Sequence, residues 1–175
     1  PSAMLRPSCQ VPLVIRGPGV AAGTNRGLVS QLDIPNTLLS AAGVALVDTP
    51  RQDSRAIDLS DPGQPHRDFL CLEQEETRAI RTAENLYVER FTSASVEPLA
   101  NEFYDLSSDP QERVNLGGTD QPSPTESGLA ARMRDYFADH ADPAHDLWAG
   151  GRAKSNVTDP AFWQAAWGQN WRCTN

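Results

Sequence analysis

NEFYDLSSDPQERVNL, Asn101 to Leu116, is the stretch on which the rest of the chain is organised. It opens as a short strand, because Phe103, Tyr104 and Leu106 are side chains suited to a pleated, half-buried surface. It then breaks into turn chemistry. Asp105 and Ser107 to Asp109 carry short polar side chains that bond their own backbone, and Pro110 fixes φ and removes a donor. Glu112, Arg113 and Asn115 are expected on an exposed turn ahead of Gly117-Gly118.

Working outward, three more strands precede this one. Asp68 to Glu73 reads as a strand, and Thr77 to Thr82 and Leu86 to Phe91 read as a hairpin joined by Ala83-Glu84-Asn85, with Asn85 tolerating a left-handed turn. Leu86, Val88 and Arg90 should share one face, and Tyr87, Glu89 and Phe91 the other. Four short strands in succession with tight connections predict an antiparallel sheet. After it, Ser123 (N-cap), Pro124 (N1) and Glu126 (N3) form a helix start. Leu129, Met133, Tyr136 and Phe137 then make one apolar stripe that the sheet can cover.

Upstream, Val11 to Ile15 (VPLVI) is a continuous apolar run bounded by Gly and Pro, suited to a strand buried on both faces. Gly17-x-Gly19-x-x-Ala22 superficially matches a dinucleotide-binding fingerprint. Gly23, Asn25 and Gly27 follow without helical periodicity, so no helix N-terminus is available for a phosphate and the loop reads as a plain turn. In Leu28 to Val44, Asp33 is the expected N-cap of a helix with Pro35 in its first turn. Leu38, Leu39, Ala41 and Ala42 are its expected apolar face, and Gly43 its C′ residue. Asp48 to His66 is a polar stretch without periodicity, read as a linker.

As strings, four of these stretches resemble signatures of one family. Residues 101–116 resemble the E-L-Y-D-L-x-x-D-P-x-E-x-x-N-L signature near the C-terminus of sulfatases of the arylsulfatase type, with Phe103 in place of Leu. PSCQVPLVIRGPGV (Pro7 to Val20) and LVSQLDIPNTLLSAAGV (Leu28 to Val44) resemble the family's P-S-I-R-V-P-L-I-I-R-G-P-G and V-D-L-x-P-T-L-L-x-x-A-G, with Cys9-Gln10 and Asn36 as departures. Residues 78–90 (RAIRTAENLYVER) resemble its C-terminal hairpin. The whole resembles the C-terminal portion of the alkaline-phosphatase-like sulfatase superfamily, in particular the C-terminal region of N-sulphoglucosamine sulphohydrolase. This resemblance implies an α/β fold, α+β within this chain. One strand and one helix would come from the family's large sandwich, beside a small four-stranded antiparallel sheet packed by a C-terminal helix. Residues 1–60 would close the catalytic domain and its linker, 61–143 would form the small subdomain, and 144–175 a tryptophan-containing tail.

The implied activity is sulfate ester hydrolysis, carried in the family by a formylglycine made from the Cys or Ser of C/S-x-P-S-R and by a calcium ion. Cys9, Cys71 and Cys173 are not followed by x-P-S-R, and Ser108-Asp109-Pro110-Gln111-Glu112 fails at its last two positions. No catalytic, cofactor-binding or metal-ligating residue is therefore assigned to this chain; calcium and formylglycine are expected only in the full-length family member. The chain starts in mid-pattern at Pro1 and is read as the tail of a longer protein, alone inactive, whose partner is an upstream sulfatase catalytic domain. That domain would take a sulfated small molecule or carbohydrate, and the resemblance implies a secreted or periplasmic location. The rival expectations are a free-standing interaction module and a subunit completing a split enzyme.

Composition sets outer bounds. The 175 residues carry 23 acidic against 15 basic side chains, a net charge of -8, which gives no electrostatic reason to seek nucleic acid or an anionic membrane. No apolar run approaches a membrane span. The three cysteines lack C-x-x-C spacing, which argues against a zinc site or a disulfide framework. His66, His140 and His145 are read as structural or solvated, and Glu73, Glu75 and Glu76 as a solvated face rather than a cation site. Asn156-Val157-Thr158 is a glycosylation sequon, usable only on a eukaryotic secretory route. Trp163, Trp167 and Trp171 recur at four-residue spacing on an expected helix capped by Asp159; they are read as packing on the body, with a binding face as the alternative.

Overall fold

A computed structural model describes residues 4–46, 53–74, 77–90 and 100–149. The elements are α1 (Arg6–Cys9), α2 (Asp33–Ala41), β1 (Leu70–Gln74), β2 (Thr77–Arg81), β3 (Asn85–Arg90), β4 (Glu102–Asp105) and α3 (Pro124–His140), followed by a short 3-10 turn, Leu147–Ala149. The four strands form one antiparallel sheet in the order β1-β2-β3-β4, with Ile80 opposite Tyr87 and Tyr87 opposite Phe103. This is the α/β organisation expected, with the small sheet and its helix in place.

The sheet is buried on both sides, and period-two alternation sorts its residues. Ile80, Tyr87 and Phe103 face α3, where Leu129, Ala130, Met133 and Phe137 cover them. Ala79, Leu86, Val88 and Tyr104 face the other way and are covered by Met4, with Leu5 and Cys9 packed alongside. An antiparallel sheet commonly leaves one face to solvent; here the N-terminal segment occupies it. The start of α3 is as expected, with the Glu126 N–H donating to Ser123 Oγ at 3.1 Å.

Four expectations need correction here. The β2–β3 hairpin forms, but Asn85 begins β3 and takes no left-handed conformation. Its turn is closed by Thr82, whose Oγ1 accepts from the N–H groups of Glu84 (3.2 Å) and Asn85 (2.9 Å). Residues 11–15, expected as a strand, have no sheet partner among the described residues, and Val14 is 90% exposed. A strand needs a neighbouring strand to pair its backbone groups, and all four described strands are committed to the small sheet.

α2 forms with Leu32 rather than Asp33 as its N-cap, and Gly43 ends it at φ 68, as its C′ position requires. Its polarity is inverted relative to expectation. Leu38, Ala41 and Ala42 are exposed, while Asp33, Asn36 and Thr37 are buried. The polar stretch 53–67 lies along that polar side. Thr37 Oγ1 donates to Asp33 O at 2.6 Å and accepts from Ile57 N at 2.9 Å, and Asn36 Nδ2 donates to Ser54 O at 3.2 Å. The linker's unpaired backbone groups select the polar side of the helix, because buried backbone donors must be satisfied. The sequon at Asn156 and Trp163, Trp167 and Trp171 lie outside the described residues.

Candidate functional site

Three buried charge clusters stand out, and each joins parts of the chain that are distant in sequence. In the first, the Arg67 guanidinium grips Asp33 bidentately, Nε to Oδ2 at 2.8 Å and Nη2 to Oδ1 at 2.5 Å. Its Nη1 donates to Asp53 Oδ2 at 2.6 Å and its Nη2 also to Asp53 O at 2.7 Å. The Asp33 carboxylate further accepts from the N–H groups of Ser30 (2.9 Å) and Arg55 (3.0 Å) and has no exposed surface. His66 Nε2 sits 3.0 Å from Asp33 Oδ2, near enough for an ion pair but not directed as a hydrogen bond. Planar bidentate pairing is the geometry in which a desolvated arginine–carboxylate pair is strongest.

The second cluster lies under the signature stretch. Glu112, expected on an exposed turn, is buried. Its Oε1 accepts from Arg81 Nη1 and its Oε2 from the Arg6 backbone N–H, each at 2.6 Å. Around it the signature's other polar letters close the turn. Asp109 Oδ2 accepts from Arg113 N (2.6 Å) and Val114 N (2.8 Å), while Asn115 Oδ1 accepts from Phe103 N (2.9 Å) and Gly117 N (2.8 Å). Gly117 is required here, because a Cβ would lie 2.7 Å from Phe103 N.

The third cluster is Arg78, buried between the rings of Phe137 (4.0 Å) and Trp148 (4.2 Å). Its Nη2 donates to Glu73 Oε1 at 2.9 Å and Asp146 Oδ1 at 2.8 Å, so the turn after α3 is fastened to β2. Glu73 is thereby a salt-bridge partner and not the solvated carboxylate expected; Glu75 and Glu76 lie outside the described residues.

These charges are matched with one another, and that decides what they can do. Burial works against the charge on Asp33 and on Asp53. The Arg67 hydrogen bonds and charge nevertheless hold both carboxyls below the usual range, and Asp33 in turn leads in raising the arginine. A carboxylate held in this way is a poor proton acceptor. The described residues also do not fit the calcium and formylglycine that the resemblance implies. The two carboxylates that meet are bridged by a guanidinium, and among the described residues no group of three or more His, Cys, Asp or Glu is placed to hold a metal ion. Burial pushes the Cys71 thiol up to about 12 and also raises Cys9, so neither is a ready thiolate at neutral pH. His140 Nδ1 lies 2.8 Å from Tyr136 O and its ring stacks on Tyr136 at 4.1 Å, a structural placement; His145 is exposed.

Sequence reasoning found Asp33 only as a helix cap and missed Arg67, Arg78 and Glu112 as buried hubs, with Asp53 as a half-buried partner. No local pattern marks Arg67, whose main partner is 34 positions away. Glu112 carried one signal, its place as a fixed letter in the signature. The depressed Asp33 and Asp53 carboxyls imply an acid limit to stability. Their contribution is fully present above the unfolded value of about 4 and is lost as pH falls through the lower folded values. Urea midpoints measured from pH 7 downward should therefore fall below about pH 4, and the fall should be shallower in Asp33→Asn. An equal slope in that variant would contradict the assignment.

No family model matches the chain. It is 30% identical to human "Arylsulfatase K" across 65% of this chain and 23% of the relative. It is 31% identical to the mouse "Arylsulfatase K" across 71% of this chain and 24% of that protein. It is also 28% identical to "Choline-sulfatase" of Rhizobium meliloti (strain 1021), across 77% of this chain and 26% of the relative. The chain spans about a quarter of the length of the curated relatives it matches. No helix among the described residues is long and apolar enough to cross a membrane. Together these similarities, to sulfatases from a bacterium and from two mammals, support a place for the chain in the sulfatase family.

Proposed function

We propose that the chain is the C-terminal part of an enzyme that hydrolyses sulfate esters, with the bond-cleaving groups on residues that precede it. Residues 1–60 then complete a catalytic domain, 61–143 form a subdomain beside it, and 144–175 a tail. Calcium and formylglycine belong to the preceding domain in this reading, and a sulfated small molecule or carbohydrate binds there.

The observation that carries the proposal is the uneven covering of apolar surface. Around the small sheet, both faces are closed. In the two upstream stretches that resemble sulfatase signatures, Val11, Leu13, Val14, Leu32, Leu38 and Val44 are all close to half exposed or more. Single exposed apolar residues are ordinary, but several gathered in segments of strand-like and helix-like pattern mark surface made to be covered. A catalytic domain whose sheet and helices continue these segments would cover it.

The role of this chain's own residues is then to bind and orient. Arg67 and Asp33 fix α2 against its return loop, and Arg78 and Glu112 fix the two flanks of the small sheet. The purified 175-residue chain is expected not to hydrolyse aryl sulfates, with or without added calcium. Reproducible, metal-dependent turnover by that chain would contradict the proposal.

A further inference from the structure

Among the described residues, Glu112 is the one non-glycine residue with positive φ, at 55°. A left-handed backbone at a long, non-glycine side chain is uncommon and persists where the surroundings over-determine it. The surroundings here are specific. The carboxylate is buried, and its two oxygens go separately to Arg81 on β2 and to the backbone N–H of Arg6, the first residue of α1 and 106 positions away. Beside this contact Met4 is 2% exposed in the outer core layer, with Leu5 and Cys9 packed against the same layer.

We propose that Glu112 is a positioning residue that latches the segment Met4–Cys9 onto the outer face of the small sheet. On the sulfatase reading, it thereby fixes the angle at which the preceding catalytic residues meet this subdomain. The left-handed turn aims the side chain inward, Arg81 holds one oxygen in register, and the other takes the first free donor of α1. Nothing else at the head of that helix replaces the contact, since its N-cap residue Leu5 makes no side-chain cap. The signature's acidic letter is then a joint between chain segments and not a surface charge.

Glycine at 112 separates the latch from the turn. A turn that only needed a left-handed residue would accept glycine readily, since glycine adopts positive φ without strain. A latch would be lost. In Glu112→Gly, amide hydrogen exchange over residues 4–10 is expected to accelerate about tenfold or more, the scale of a lost charge-assisted hydrogen bond. Exchange over 124–140, on the opposite face, should stay unchanged. Unchanged exchange over 4–10 would overturn the latch, and so would equal acceleration in both regions, which is general loosening. In the full-length native protein, Glu112→Gly should lower kcat on a sulfate ester about tenfold or more, with a smaller change in KM. An unchanged kcat would overturn the positioning role. Absence of sulfatase activity in the unmutated protein, with the exchange difference intact, would count against the proposed function alone.

Discussion

Asp33→Ala is expected to destabilise the α2 region by about 3–5 kcal/mol, the usual cost of removing one partner from a desolvated ion pair. The alanine leaves the Arg67 guanidinium buried with Asp53 as its remaining carboxylate and strips acceptors from the N–H groups of Ser30 and Arg55. The cost arises from the stranded charge more than from the lost attraction, so the double variant Asp33→Ala/Arg67→Met should recover part of it. Amide exchange of residues 33–41 in increasing urea measures the effect locally. A change below about 1 kcal/mol, as is typical of exposed pairs, would show that the cluster is open to water.

Phe137→Ala is the second large effect, about 3–5 kcal/mol from lost burial and the cavity left behind. Phe137 closes the core formed by Ile80, Tyr87, Phe103, Leu129 and Met133. It is also the platform for the Arg78 guanidinium, 4.0 Å above its ring, and it meets Tyr136 edge-on at 5.4 Å. Removing the ring therefore loosens the fastening of Asp146 and Trp148 to β2 as well as the core. Phe137→Leu should cost less in core volume yet still lose the cation–π contact. Urea unfolding followed by circular dichroism checks both. A Phe137→Ala midpoint equal to that of the unmutated chain would mean that α3 does not pack on this sheet.

The parts of this structure legible in the sequence are those governed by short-range periodicity. The period of two in 77–90 placed Leu86 and Val88 on one face of the sheet and Tyr87 on the other, and both are buried there. Ser123, Pro124 and Glu126 marked the start of α3 because capping is a contact over three residues. The N-terminal third was less legible for a physical reason. Periodicity says which residues are apolar, not which neighbours cover them, so Leu38 was expected inside but is exposed, while Thr37 beside it is buried. Glu112 was assigned to solvent on its turn-like surroundings, but its partners at positions 6 and 81 decide its burial. Arg67 in its polar loop resembles any surface arginine until Asp33 is placed beside it.

These buried hubs share a consequence. Asp33–Arg67, Arg78–Asp146 and Glu112–Arg6 each fix a segment against another far away in sequence. Under the proposed function, these contacts support a site carried on preceding residues. The intact mass and N-terminal sequence of the native protein, taken from its source, test this most directly. The expected result is a species well above 19.1 kDa that carries C/S-x-P-S-R ahead of the present Pro1. A native species of 19.1 kDa beginning at Pro1 would contradict it.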